Sequence, residues 1–255
     1  MNVFHPLAVF LCFLAGSTSN PVLRQPLSAS VPAGGTATLT CQVTNLNIAD
    51  YGGFWYQLRK GQKPRWVLVH WASGQVDRGT GYTDRYLPYR DSATSSYVLT
   101  ISSISEADTG TYYCATVKDN MVFFGNGIHL LIPSRQLSPP TIHLYPPPAE
   151  QLNCKDSNLT LTCLANGFYP GHVRARWTMD GEEVGRHLVT EAVPQEEEEE
   201  GGKAQGTGGS YSWSSYLTMS AKDWHAHSRF SCQLEHESSG EPLVAVVDRE
   251  SCPLS

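Results

Sequence analysis

A chain of 255 residues with 40% hydrophobic content is long enough to bury two cores of about 100 residues each, the ordinary domain size. Its formal net charge of -6 and pI near 5.8 supply no basic face for nucleic acid or an anionic membrane surface, and those partners are excluded first.

At the N-terminus the apolar stretch Val3 to Ala15 is followed by small residues, with Ser17 and Ser19 where a signal peptidase cleaves. The stretch falls short of the roughly 20 apolar residues that a membrane anchor needs. Residues 1–19 therefore read as a secretory signal, although His5 stands where such signals carry Lys or Arg. The best later apolar run, Leu243 to Val247, is too short to span a bilayer, so the expectation is a soluble, secreted protein without direct membrane insertion. Removal of Cys12 with the signal leaves Cys41, Cys114, Cys154, Cys163, Cys232 and Cys252 in an oxidising compartment, where disulfides are the first reading.

Short alternating runs then recur along the sequence: Thr36 to Val43, Tyr97 to Ile101, Leu159 to Leu164 and Tyr211 to Met219. Gly, Pro, Asn and Ser separate them, a pattern of many strands each burying one face, which predicts an all-β protein of sandwiches or barrels. Prolines and polar residues from Pro133 to Thr141 interrupt the pattern and mark a short linker between a first domain, 20–134, and a second, 135–255. Glu196 to Glu200 followed by the Gly-rich Gly201 to Gly209 cannot bury a core and reads as a solvated loop, not a cation site.

The two halves repeat one spacing: Trp55 follows Cys41 by fourteen residues and Trp177 follows Cys163 by fourteen, each with a further cysteine about 70 residues on. The first half resembles an immunoglobulin variable domain through Cys41, Trp55-Tyr56-Gln57, the Asp108 to Cys114 run and the joining-like Phe124-Gly125-Asn126-Gly127. The second resembles a light-chain constant domain through Tyr145-Pro146-Pro147, Phe168-Tyr169-Pro170, the Tyr211 to Ser220 run, Trp224, His227, Phe230 to Cys232, His236 and Glu237. The sequence is thus similar to immunoglobulin light chains over nearly its whole mature length. Its acidic insert and long Tyr82 to Ser96 segment mark a divergent isotype, similar to the sigma chains of cold-blooded vertebrates.

That resemblance implies two immunoglobulin-like Greek-key β-sandwiches, V-type then C1-type, joined by a short linker, with Cys41–Cys114 and Cys163–Cys232 bridging strands B and F across the sheets. Tyr112 takes the tyrosine-corner position, whereas Phe230 in the second domain cannot make that hydrogen bond. The resemblance further implies an antibody light chain that pairs with a heavy chain to form an antigen-binding site in a tetramer or larger assembly. Cys252 would supply the interchain disulfide; Cys154 is extra, open to pairing with Cys252, to bonding a heavy chain or to staying free. Tyr56, Leu58, Pro64, Tyr113 and Phe124 would face the heavy-chain variable domain, and Tyr145, Ser214 and Tyr216 its first constant domain. Leu58 stands where light chains usually carry a glutamine that pairs across the interface, exchanging a hydrogen bond for apolar packing.

The hypervariable loops would run approximately from Asn45 to Gly53, His70 to Tyr82 and Ala115 to Phe123. They offer Asn47, Tyr51, Trp71, Tyr82, Lys118, Asp119 and Asn120 as antigen-contact candidates, rigid aromatics among adaptable polar groups. Asn158-Leu159-Thr160 is an N-glycosylation sequon, so a glycoprotein is expected.

Enzymatic readings find little support. No Gly-x-Ser-x-Gly elbow or zinc-protease motif occurs, Gly125-x-Gly127 has Leu130 in place of a third dinucleotide-site glycine, and no cofactor is implied. His225, His227 and His236 belong to the constant-domain pattern rather than to a metal site. The closer rivals are an invariant surrogate light chain and the soluble ectodomain of an immunoglobulin-type receptor. Secretion is the expected destination, or the cell surface through a membrane-bound heavy chain.

Overall fold

The computed structural model describes residues 19–152, 158–197 and 209–251. Residues 1–18, Cys154 and Cys252 lie outside them, and with them all but Ser19 of the expected signal, the extra cysteine and the expected interchain cysteine. The first domain contains β1 (Val22–Arg24), β2 (Ser28–Ser30), β3 (Ala37–Thr44), β4 (Gly53–Leu58), β5 (Arg65–His70), β6 (Val76–Arg78), β7 (Tyr86–Asp91), β8 (Ser96–Ile101), β9 (Gly110–Lys118), β10 (Met121–Phe124) and β11 (Ile128–Leu131). The second contains β12 (Thr141–Tyr145), α1 (Ala149–Leu152), β13 (Asn158–Phe168), β14 (Arg174–Met179), β15 (Glu182–Glu183), β16 (Val189–Glu191), β17 (Gln195–Glu196), β18 (Tyr211–Ser220), α2 (Ala221–Ala226), β19 (Arg229–Glu235) and β20 (Leu243–Asp248).

Each domain is a pair of sheets. The order β1-β3-β8-β7 faces a seven-stranded sheet β2-β11-β9-β4-β5-β6, with β10 hydrogen-bonded to β9. The order β12-β13-β18-β16, with β17 also on β18, faces β15-β14-β19-β20. The expected two-sandwich architecture is present. Its alternation is clearest in β3, where Ala37, Leu39, Cys41 and Val43 are buried and the residues between them turn outward.

Both cores form around a disulfide and a tryptophan. Cys41–Cys114 joins β3 to β9 with Trp55 of β4 opposite Cys114, and Cys163–Cys232 joins β13 to β19 with Trp177 of β14 opposite Cys232. The Tyr112 hydroxyl donates to the Asp108 carbonyl at 2.6 Å, closing the tyrosine corner. In the second domain Phe230 instead stacks on Trp224, ring centroids 4.7 Å apart and planes 15° from parallel. Packing there replaces the missing hydrogen bond.

Beneath the first core lies a polar network. Asp108, 1% exposed, accepts from Ser105 N, Ser105 Oγ, Arg85 and the Tyr86 hydroxyl. Burial alone would raise its pKa, but the bonds from Tyr86, Arg85 and Ser105 outweigh that and hold the carboxyl below its ordinary value. Gln57, also buried, donates from Nε2 toward the Tyr112 hydroxyl and accepts from the Tyr82 hydroxyl at 2.8 Å.

Polar and ring contacts tie the two domains together. Glu237 accepts from Ser30 N and Ser30 Oγ, Arg174 reaches the Gln25 carbonyl at 3.4 Å, and His129 of β11 stacks on His172 at 4.0 Å. Burial first, then His129 and His236, push the His172 pKa from 6.5 down to about 4, and burial with Arg174 also lowers that of His129. The docked state therefore favours neutral rings. Its stabilisation is full above pH 6.5 and falls away as the pH drops through that value toward 4, where protonated rings would face each other and Arg174. Small-angle scattering between about pH 7.5 and 4.5 is expected to show the elbow loosening on acidification. A His129→Phe/His172→Phe double variant is expected to show a weaker dependence; an equal dependence in both proteins would place the sensitivity elsewhere.

Candidate interaction surface

The seven-stranded sheet carries the features that interest function, because antiparallel register puts alternate residues of β4, β5, β9 and β10 on its outer face. Tyr56 lies opposite Tyr113 and Trp66, Phe54 opposite Ala115 and Val69, and Phe124 opposite Ala115. The Tyr56 and Phe124 rings are 5.8 Å apart. Leu58 and Tyr113 are half-buried, Pro64 and Trp66 are exposed, and Phe124 leaves 56% of its surface in water. Exposing so much contiguous aromatic and aliphatic surface is unfavourable for an unpartnered sheet, and such patches mark interaction sites. Trp66, Phe54 and Val69 escaped the sequence reading, although the alternation of β4, with Trp55 turned inward, carries the signal for Phe54.

Phe124 is held in place by the glycines that follow it. The Gln25 side chain reaches between strands, its Oε1 accepting from Cys114 N and Gly127 N while its Nε2 donates to the Tyr112 carbonyl. A Cβ on Gly125 would sit 2.3 Å from Gln25 Oε1 and 2.7 Å from Cys114 Sγ, and Gly127 adopts φ 85°. The joining-like motif thus requires both glycines: one for close approach, the other for left-handed backbone.

At the loop end, residues 45–52 connect β3 to β4 as expected for the first loop. Asn47 is exposed and donates to Asp50, while Tyr51 is half-buried. Trp71 is exposed, packs edge-on against Phe54 and donates from Nε1 to Asp77 at 2.6 Å. Tyr82 is a correction. It is only 8% exposed, packs edge-on against Tyr86 at 5.0 Å and spends its hydroxyl on Gln57, so it belongs to the core and not to an antigen-contact surface.

The third loop also differs from expectation. Strands β9 and β10 run through most of Ala115 to Phe123, leaving a two-residue turn, Asp119-Asn120. Both turn residues have positive φ, 50° and 60°, the requirement of a type I′ hairpin, which Asp and Asn tolerate well. Lys118 is half-buried beside this turn, and only Asp119 and Asn120 form a polar tip.

In the second domain Tyr145 and Tyr216 are exposed and Ser214 is half-buried, all on the β12-β13-β18-β16 sheet. A shallow groove of about 230 Å³ on that sheet is lined by Leu164, Trp213, Ser214 and Tyr216 among others. Asn158 is exposed at the start of β13. His227 bonds the Asp223 carbonyl and His236 the Pro170 carbonyl, so both serve the fold locally. Among the described residues no group of three His, Cys, Asp or Glu is placed to hold a metal, and no helix is long and apolar enough to cross a membrane.

Two disulfide-bridged sandwiches, each presenting a sheet face with exposed aromatics, define a recognition protein of V-plus-C architecture. Residues 24–133 match the Immunoglobulin V-set domain and residues 142–239 the Immunoglobulin C1-set domain, so the chain belongs to the immunoglobulin family. These are binding folds, not enzymes. The sequence is 34% identical over 110 residues to the mouse immunoglobulin omega chain, a match spanning 43% of this protein and 78% of that one. It is 28% identical over 243 residues to a viral T-cell receptor beta chain-like protein of feline leukemia virus, 91% of this protein and 72% of that one. Over 242 residues it is 26% identical to the C region of the rabbit (Oryctolagus cuniculus) Ig alpha chain, 92% and 71% respectively. Domains of this family are typically extracellular or at the cell surface and pair with other immunoglobulin-type chains.

Proposed function

We propose that the protein is an antibody light chain, secreted and paired with a heavy chain to form half of an antigen-binding site. The observation that carries this reading is the aromatic and aliphatic cluster on the outer face of the seven-stranded sheet, where Tyr56, Leu58, Tyr113 and Phe124 gather as they would to meet a second variable domain. Pro64 borders that contact, and Tyr145, Ser214 and Tyr216 provide the parallel one for the first constant domain of the heavy chain. Asn47, Tyr51, Trp71, Lys118, Asp119 and Asn120 supply the contacts to antigen. Cys252 forms the covalent link, Cys154 is a second candidate for it, and Asn158 carries a glycan.

The test is co-secretion with a heavy chain from the same animal, resolved on nonreducing and reducing gels. A reducible heterodimer is expected, and Cys252→Ser is expected to leave a noncovalent one; secretion of the protein alone would overturn the reading. The match across 91% of this sequence to a T-cell receptor beta chain-like protein favours a second reading, a receptor subunit. Recovery of a receptor-type partner in place of a heavy chain would establish it.

A further inference from the structure

Where the first domain meets the second, strand register aligns Leu58, Thr111 and His129 in one row across β4, β9 and β11. His172 of the second domain stacks on His129 at the end of that row. An open cavity of about 450 Å³ lies here, lined by Leu58, Arg59, Lys60, His129, Leu130 and His172 among others. Gly110 forms part of its wall. A Cβ there would meet the Leu58 carbonyl at 2.7 Å and Arg59 Cγ at 3.3 Å, so the aliphatic stem of Arg59 lies against the first residue of β9.

The charge of the cavity is one-sided: among the described residues two cations line it and no carboxylate does. The side chains of Arg59 and Lys60 enter no ion pair or hydrogen bond among the described residues. His129 spends Nδ1 on Thr111 Oγ1 at 3.0 Å, whereas neither ring nitrogen of the half-buried His172 has a hydrogen-bond partner among them. A half-buried imidazole without a partner is a polar group whose desolvation nothing offsets. Beside two uncompensated cations, it calls for an acceptor-only group. The cavity volume falls within the range of about 300–1,000 Å³ usual for small-molecule sites.

We infer that this elbow cavity binds a small organic anion, a phosphate or sulfate ester held through its oxygens by Arg59, Lys60 and His172, with its apolar group resting on Leu58 and Leu130. A tetrahedral oxyanion offers one oxygen to each of the three side chains, and the planar guanidinium of Arg59 matches two of them in fork geometry, with Lys60 acting as a point charge. A carboxylate has too few oxygens to serve all three separately. Because Arg59 and Lys60 belong to the first domain and His172 to the second, the occupant joins the domains and favours their docked arrangement. The site goes beyond the pairing reading and is the same whether the partner is a heavy chain or a receptor subunit.

The experiment titrates the full-length protein calorimetrically with phenyl phosphate and phenyl sulfate at low salt. Saturable binding with a Kd below about 1 mM is expected for at least one of them, and which binds tighter separates phosphate from sulfate esters as the source. Arg59→Ala/Lys60→Ala is expected to weaken that Kd by about tenfold or more and His172→Ala by about threefold, while Arg186→Ala/Lys222→Ala, which removes two exposed cations elsewhere, leaves it within about twofold. Absence of saturable binding for both esters overturns the inference, as does binding that the Arg59/Lys60 and Arg186/Lys222 variants weaken equally. Phenol binding as tightly as phenyl phosphate removes the role of the anion, and inorganic phosphate binding as tightly removes that of the ester; either result overturns the inference. Nuclear magnetic resonance of the histidine ring protons in the unsubstituted protein gives a second measurement that does not depend on any variant folding. Phenyl phosphate is expected to shift the His129 and His172 resonances and to leave those of His187 and His225 in place; saturable binding with His129 and His172 unmoved would put the site elsewhere and overturn the inference.

Discussion

Replacing Asp108 by alanine is expected to destabilise the first domain by about 3–5 kcal/mol, the range for breaking a buried charged pair by deleting one partner. The carboxylate is the common acceptor for Ser105 N, Ser105 Oγ, Tyr86 and Arg85. Without it the half-buried Arg85 can turn to solvent, but the Tyr86 hydroxyl and the Ser105 amide lose their acceptor in a site only water could otherwise fill. Urea unfolding followed by tryptophan fluorescence measures the change; a loss below about 1 kcal/mol would show that water replaces the carboxylate. The same group gives an acid limb. Its folded pKa lies below its ordinary value of 3.8, so its contribution is present above that value and is lost as the pH falls below it. Asp108→Asn should flatten that limb.

Trp177→Ala is expected to cost the second domain about 3–5 kcal/mol, the usual range for emptying a tryptophan site in a core. The side chain is 2% exposed, sits opposite Cys232 and donates from Nε1 to Ser215 Oγ at 2.9 Å. Domains of this size have total stabilities of about 5–15 kcal/mol, so the variant keeps little reserve. Trp177→Phe separates the two components. It retains most of the volume but leaves the fully buried Ser215 hydroxyl without its donor, and an intermediate loss is expected in the same urea measurement. A loss for phenylalanine equal to that for alanine would assign the whole effect to the hydrogen bond.

The architecture was legible because its constraints are local or repeat. Alternation in Ala37–Thr44 names the buried face of a strand directly, and the repeated Cys-to-Trp spacing names the pin of each core. The Phe124 to Gly127 motif likewise signalled a position needing glycine twice, although not that the Gln25 side chain fills the space. Tyr82 departs from its expected role for a physical reason: aromatic residues near turns look alike in sequence whether they end in solvent or in a core. Only Gln57, 25 positions away, supplies the buried partner that decides it.

The hairpin makes the same point from the other side. A loop over Ala115 to Phe123 is the natural expectation for a segment between two framework motifs, yet the pair Asp119-Asn120 already allowed a type I′ turn. Sequence by itself determined two all-β domains and a repeated cysteine-to-tryptophan spacing, because periodicity and fixed spacing are properties of neighbouring residues, while the resemblance to immunoglobulin domains supplied the two disulfides and the expected roles of Tyr56 and Phe124. The tertiary structure alone decided that Tyr82 is core and that His129 meets His172 across the elbow. Each depends on the register between strands distant in sequence, and register is set by how the whole sheet packs.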